Sequence, residues 1–409
     1  MSKCNTSVVI ISYAWPSTNN GSGFAVMALL RECVQVFDEV QLIGLTDSEP
    51  MDMDRLYPDA EWAHIRAKRL PIPIRFLLSL GSALPAVCHQ FNSKKTIGQV
   101  LNVINCALNR NHEVAVILED LPIAIAFLDP IRKRFPKIRI AIRSENVLSK
   151  IFDPLTRQGN PLLRLAWTIE LSKMCQAEIA VCRQADRVWA ISTNDRQEYL
   201  ARLGIRCDGV FGVSLDSYRF VNIPSGDSQT VVFVGGVDLR KRLGIVNFIK
   251  DAWPVVRSEV PDARFVLAGK GSEKLNDPVN GIHGLGYIAD DREVWAKGQI
   301  ALNPQELGSG IKLKSIIAML SAKALVSTET GVEGIEGENG THFLAAHDAR
   351  SLAPLVIQLM KNPSQAKQMG QIAREWAQEA YSEDRLRQST LPLLEDFVGI
   401  SVTELSGGR

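Results

Sequence analysis

The chain has 409 residues, more than one ordinary hydrophobic core accommodates, so two domains are expected. A hydrophobic share of 46% and a charged share of 22% exclude a disordered chain, and Lys+Arg 46 against Asp+Glu 45 excludes a global basic field for nucleic acid. Seven cysteines without a C-x-x-C pair do not read as a disulfide framework or a zinc site, and they suit reduced thiols in the cytoplasm.

The N-terminus runs straight into Val8-Val9-Ile10-Ile11, a strand-length apolar run without a small-residue cleavage site, so no signal peptide is expected. No apolar stretch approaches the roughly 18 to 20 residues that span a bilayer. Strands are predicted at 8–12, 39–44, 114–118, 138–143 and 188–191, with helices between them, including 24–36 and 162–183. In 66–80, basic residues surround Leu70, Ile72, Ile74, Phe76, Leu77, Leu78 and Leu80. That mixture suits either a lipid interface or a core helix with a charged entry loop.

A turn-rich stretch, 222–227, reads as a linker. Beyond it, strands are predicted at 231–235, 264–269, 281–285, 300–302 and 324–327, and helices at 244–260, 311–321, 349–361 and 366–380. Apolar runs alternating with helices indicate α/β domains with parallel sheets, whose ligands bind beyond the carboxyl ends of the strands. Residues 1–220 and 221–385 are expected as two domains, with 386–409 as a terminal helix.

Chemistry concentrates between a predicted strand and helix, in Asn303-Pro304-Gln305-Glu306-Leu307-Gly308-Ser309-Gly310-Ile311-Lys312-Leu313-Lys314. Gly308 and Gly310 let backbone approach an anion, and a helix start directs N–H groups and its positive dipole end toward it. A plain tight turn is the other reading. Lys312 and Lys314 add positive charge, although alternate residues at a helix start do not face the same way. Asp52-Met53-Asp54 reads as a solvated turn rather than a metal motif, and none of the six histidines falls in an H-E-x-x-H pattern.

From 231 to about 345, the order of strand, basic loop, helix, Gly269-Lys270-Gly271, Gly284-Leu285-Gly286-Tyr287, the glycine loop and Gly331-Val332-Glu333-Gly334 resembles the donor domain of glycosyltransferase family 4. In the first half, Gly21-Ser22-Gly23 resembles that family's acceptor-side loop, and Arg143-Ser144-Glu145-Asn146 is similar to its Arg-x-His-Asn element. The resemblance, closest to bacterial polysaccharide and lipopolysaccharide enzymes, implies a GT-B fold: two Rossmann-like domains facing across a cleft, the terminal helix returning to the first. It implies donor contacts at Gly236, Arg240, Lys241, Gly269, Gly286, Tyr287, Ile288, Gly308, Ser309, Gly310, Lys312 and Glu333, and acceptor-side roles for Gly21, Ser22, Gly23, Arg143 and Asn146.

Two positions depart from the family. Ile317 falls where the family has a Glu that holds the donor ribose; losing that contact without replacement weakens binding by roughly 1.5 to 3 kcal/mol. Glu145 stands in place of the family's His, and a carboxylate there can accept a proton or steady positive charge on the sugar. Glu306 is a second catalytic candidate, with an exposed loop residue as the other reading. The expectation is retaining transfer from a UDP- or GDP-sugar to a glycan or lipid-linked acceptor, without cofactor or metal. The place expected is the cytoplasm, peripherally at the inner membrane face. A catalytically impaired GT-B protein acting as a nucleotide- or sugar-binding or partner subunit is the alternative, and an epimerase of similar fold fits the motif order less well.

Overall fold

The computed structural model describes residues 4–18, 20–50, 53, 57–67, 70–111, 113–157, 159–237 and 239–399, without the side chains of residues 4, 5 and 239–241. The Asp-x-Asp carboxylates, Asp52 and Asp54, lie outside the described residues. Two compact units form: Met1–Ser214 with Leu386–Arg409, and Leu215–Arg385.

The first unit is built on β1 (Cys4–Ser12), β2 (Phe37–Thr46), β3 (Ala60–Arg66), β4 (Val114–Glu119), β5 (Arg139–Ser144), β6 (Arg187–Ala190) and β7 (Gly209–Val210). All pair in parallel, in the order β3-β2-β1-β4-β5-β6-β7. Because side chains alternate along a strand, Val9 and Ile11 enter one core layer while Val8 and Ile10 enter the other. Both faces need helices, and strands so buried read as continuous apolar runs.

The described helices of this unit include α1 (Gly21–Val36), α2 (Ile72–Ser79), α3 (Lys94–Arg110), α4 (Leu121–Arg134), α5 (Pro161–Gln184) and α6 (Thr193–Leu203). Polar caps set several of their starts: the side chains of Asn20, Ser93, Asn160 and Ser192 each accept a backbone N–H of the first turn. The C-terminal segment also packs here. Phe397 meets the buried Trp189 edge-on at 5.5 Å, and Arg139 Nη1 donates to its carbonyl at 3.0 Å.

The second unit has β8 (Asp227–Val234), β9 (Arg264–Ala268), β10 (Ile282–Gly284), β11 (Gly298–Asn303), β12 (Ala324–Thr328) and β13 (Leu344–Ala346). They form a parallel sheet ordered β10-β9-β8-β11-β12-β13. Its helices include α7 (Leu239–Asn247), α8 (Trp253–Glu259), α9 (Leu313–Leu320), α10 (Ala353–Lys361) and α11 (Pro363–Ala380). Each unit is Rossmann-like.

The helix expected at 244–260 is interrupted. A π-helical turn, Phe248–Ala252, separates α7 from α8, and Trp253 N–H bonds to the Phe248 carbonyl. Pro254 is the cause: it has no N–H for the Lys250 carbonyl, and the wider turn makes room for its ring.

Between α9 and β12, Ala322 sits at φ +54, a left-handed conformation that costs an L-residue roughly 1 kcal/mol relative to glycine. Ala322→Gly should therefore raise the unfolding free energy by about 0.5–1 kcal/mol, seen as a higher urea midpoint at unchanged slope. A lowered midpoint would show that the turn is not strained.

Candidate active site

In both sheets the strand order reverses at one place, between β1 and β4 in the first unit and between β8 and β11 in the second. Chains leaving the strand ends diverge there, which opens a crevice for a ligand.

On one side of the second unit's reversal, the loops after β8, β9 and β10 are stitched by backbone. Gly235 N–H donates to the Ala268 carbonyl at 2.7 Å, Val237 N–H to Lys270 at 2.9 Å, and Gly269 N–H to Gly286 at 2.6 Å. Gly269 has φ +131, and a Cβ there would overlap the Gly235 backbone, so only glycine permits this approach. A Cβ on Gly235 would meet Lys314 Nζ, which places that ammonium at the end of β8; it also lies 5.5 Å from the Phe233 ring centroid.

The glycine loop follows β11. Gly308 and Gly310 have φ +152 and +73, and α9 begins at Leu313. Lys312 turns into the loop: its Nζ donates to the carbonyls of Ser309 (3.1 Å) and Gly310 (2.5 Å) and lies 3.5 Å from Glu333 Oε2. The two lysines thus divide the work, Lys312 tying the loop and Lys314 reaching β8. Tyr287 is 71% exposed beside Gly286, and Ile288 is half-buried.

Asn303, Ser315 and Thr328 fix the loops after β11 and β12. Asn303 Nδ2 donates to Ser315 Oγ and to the Gly331 carbonyl, both at 2.9 Å, and Thr328 Oγ1 donates to the Gln305 carbonyl. Glu306 is a positioning group: its carboxylate accepts from Asn247 Nδ2 at 2.9 Å and Ala349 N–H at 3.1 Å. Ile317 is buried in α9. Gly236 lies in the loop after β8; Arg240 and Lys241 lie in α7, but their side chains are outside the described residues.

The first unit's reversal carries acids. Glu145, just past β5, is buried and accepts at Oε2 from Ser22 Oγ (2.7 Å) and Tyr13 OH (3.3 Å). Tyr13 OH also lies 3.3 Å from Asp120 Oδ2, and Asp120 Oδ1 accepts the Glu145 N–H at 3.2 Å. Ser22 is delivered by the first turn of α1, whose start is capped by Asn20 and where a Cβ on Gly23 would strike Ser17. The Asn146 carbonyl accepts from Ser144 Oγ and Tyr199 OH.

Arg143 corrects an expectation. It does not face an acceptor, because its side chain is fully buried. Its guanidinium donates to the carbonyls of Phe211 (3.0 Å), Ala25 (3.2 Å) and Gly212 (2.6 Å) and pairs with Glu119, over the Phe211 ring.

Burial sets the proton affinities. It pushes Asp120 up to about 7, helped by the charge of Glu145, and Glu119 up to about 8 against the opposing Arg143 guanidinium. Burial raises Glu145 as well, opposed by the Ser22 hydrogen bond and Arg143. The Tyr13 phenol, raised by burial and by Glu145, stays protonated and remains a donor. Asp120 holds φ +72, an uncommon conformation for a non-glycine residue.

The structure therefore joins Glu145 with Ser22, and the glycine loop with Lys312 and Glu333. The sequence reading named Lys314 only as added charge beside the glycine loop and did not select Tyr13 or Asp120. The usable signal was position: Tyr13 directly follows β1 and Asp120 directly follows β4, the strands that flank the reversal. Among the described residues, no group of three or more His, Cys, Asp or Glu is placed to hold a metal.

Two Rossmann-like units with all-parallel sheets are the architecture of the GT-B fold, which the similar solved structures below share. Residues 228–362 match the family described as Glycosyl transferases group 1, so the second unit carries a domain of that kind. An uncharacterized 44.6 kDa protein in the cps region of Klebsiella pneumoniae is 29% identical over 171 residues, which spans 39% of this chain and 44% of that relative. Among solved structures, Anabaena HepE in complex with UDP is similar, with TM-score 0.65 and 11% identity, covering 96% of this chain and 99% of that one. Sucrose-phosphate synthase from Thermosynechococcus elongatus has TM-score 0.72 and 15% identity, over 97% and 100% of the two chains.

Asp120 yields a pH prediction. Its carboxyl binds a proton more tightly folded than unfolded, so between about pH 4 and 7 stability falls as pH rises, and the cost of the buried charge is fully present above that window. Asp120→Asn removes that cost. Its gain over the parent in urea unfolding should be larger near pH 8 than near pH 5, by on the order of 1–3 kcal/mol. An equal gain at both would place the shift elsewhere.

Proposed function

We propose that the chain is a retaining glycosyltransferase taking its sugar from a nucleotide diphosphate donor, a UDP-sugar first and a GDP-sugar second, and delivering it to a glycan or lipid-linked acceptor. The observation that carries this reading is the glycine-lined reversal of the second unit, with Gly235, Gly308 and Gly310 in backbone conformations that favour glycine and Lys314 Nζ beside Gly235. Such a place suits a diphosphate: close backbone, N–H groups at the start of α9, and a cation. The UDP bound by Anabaena HepE supports uridine as the base.

In this reading the loop at Gly308, Ser309 and Gly310, with Lys314, Arg240 and Lys241, receives the diphosphate, Lys312 and Glu333 hold the loop, and Tyr287 offers its ring to the base. As the glycosidic bond breaks, the leaving diphosphate gains negative charge, so these groups stabilise the transition state more than the ground state. No divalent metal is required for that neutralisation. On the acceptor-side unit, Glu145 is the acid–base group, and Tyr13 and Ser22 orient it. Three carboxyls are buried here around one guanidinium that pairs with Glu119, and burial pushes Asp120 up to about 7 and raises Glu145.

Thermal unfolding with UDP and GDP, followed by a donor screen reading nucleotide release, tests the reading. UDP should raise the unfolding temperature and a UDP-sugar should release UDP. A shift without release from any donor would mean a binding protein instead, and no shift with either nucleotide would remove the donor assignment.

Two variants separate the parts. Gly310→Val forces a side chain into a left-handed position at the phosphate loop and should abolish the nucleotide shift; an unchanged shift would clear Gly310 of that role. Glu145→Gln should keep the shift but lower turnover by roughly 100-fold or more. Normal turnover would take Glu145 out of the chemistry.

A further inference from the structure

More than half of the exposed large apolar side chains among the described residues fall in two short segments of the first unit, within 72–80 and 162–169. Leu77 and Leu80 are 69% and 73% exposed at the end of α2; Leu162 and Leu165 are 79% and 58% exposed at the start of α5. An exposed apolar cluster of this kind marks a surface that meets something.

The two segments are one rigid platform. Phe76 of α2 packs edge-on against Trp167 of α5 at 4.7 Å. Glu170, the first acid of α5, is buried beneath: it accepts from Ser79 Oγ at 2.5 Å and Ala86 N–H at 2.7 Å, while Lys173 Nζ donates to the Ser79 carbonyl at 2.6 Å.

Charge selects the occupant. The sequence 66–82 contains Arg66, Lys68, Arg69 and Arg75, the sequence 154–169 contains Arg157 and Arg164, and neither contains Asp or Glu. Two acids border the second stretch: Asp153, which pairs with Arg157 at 3.8 Å and Arg202 at 3.5 Å, and Glu170, which is only 5% exposed. A second copy of the chain docking here about a twofold axis would bring like charges together as it buried the leucines. A bilayer with anionic headgroups accepts both components, apolar side chains at the acyl boundary and arginines among the headgroups.

We propose that the α2 and α5 platform is a membrane-docking surface that seats the first unit on an anionic lipid bilayer. The leucines enter the interface and the surrounding arginines pair with headgroup phosphates. The proposal is independent of sugar transfer, and it gives a lipid-linked acceptor a physical route to the first unit.

Flotation of the full chain with vesicles tests it. Vesicles of phosphatidylcholine with phosphatidylglycerol should carry the protein at low salt, and pure phosphatidylcholine should carry much less. The variant Leu77→Ser, Leu80→Ser, Leu162→Ser alters only exposed side chains and should lose roughly tenfold or more in vesicle binding. Its UDP-induced thermal shift reports the second unit independently, and its circular dichroism reports the fold. Arg75→Glu with Arg164→Glu should abolish the preference for phosphatidylglycerol. Failure of the parent chain to float with phosphatidylglycerol vesicles would overturn the proposal. So would concentration-dependent dimers in sedimentation that dissolve in the leucine variant, because the platform would then be a contact between copies.

Discussion

The buried guanidinium of Arg143 is the constraint on which the first unit's site depends. Three carboxyls, Glu119, Asp120 and Glu145, end up out of water at the ends of adjacent strands, and a cluster of buried acids without a cation is strongly unfavourable. Arg143 supplies that cation from within. It pairs with Glu119, and its remaining N–H groups are spent on the carbonyls of Ala25, Phe211 and Gly212, so a single side chain joins the end of β4, the body of α1 and the segment after β7.

The second unit meets the same topological situation with the opposite sign of charge. Its strand order also reverses beside the first strand of its sheet, but there the loops are brought together by glycines and backbone hydrogen bonds, and the cation of Lys314 stands at the strand end. An acid site can be assembled from side chains because each carboxyl needs only a few donors. A diphosphate offers many acceptor oxygens, and backbone N–H groups that approach closely meet that demand better than bulky side chains.

Much of this architecture was legible because parallel strands buried on both faces appear as apolar runs, as in Val8-Val9-Ile10-Ile11 and Val231-Val232-Phe233. The strands that escaped reading lie at sheet edges: β3 carries Glu61 and His64 within a half-buried pattern, β7 is two residues long, and β13 has three half-buried residues. Side-chain roles were less accessible. Tyr13 meets Asp120 across 107 positions and Glu145 across 132, and no local pattern announces such a meeting. Arg143 was read at the end of the right strand but in an acceptor-side role, since an arginine at a strand end is usually solvated and only the three carbonyls around it reveal otherwise.

Ile317 shows how the second unit reorganises its acids. Helix α9 is almost wholly buried, with Ile316, Ile317 and Leu320 all in the core, so position 317 serves packing and offers nothing polar to a ligand. Acidic function near the loop passes instead to Glu333 and Glu306, and both act on protein. Glu333 faces Lys312, whose ammonium grips the Ser309 and Gly310 carbonyls, while Glu306 ties Asn247 to the Ala349 N–H. A loop pinned in this way needs little reorganisation when an anion arrives, which is where preorganised dipoles gain most over water.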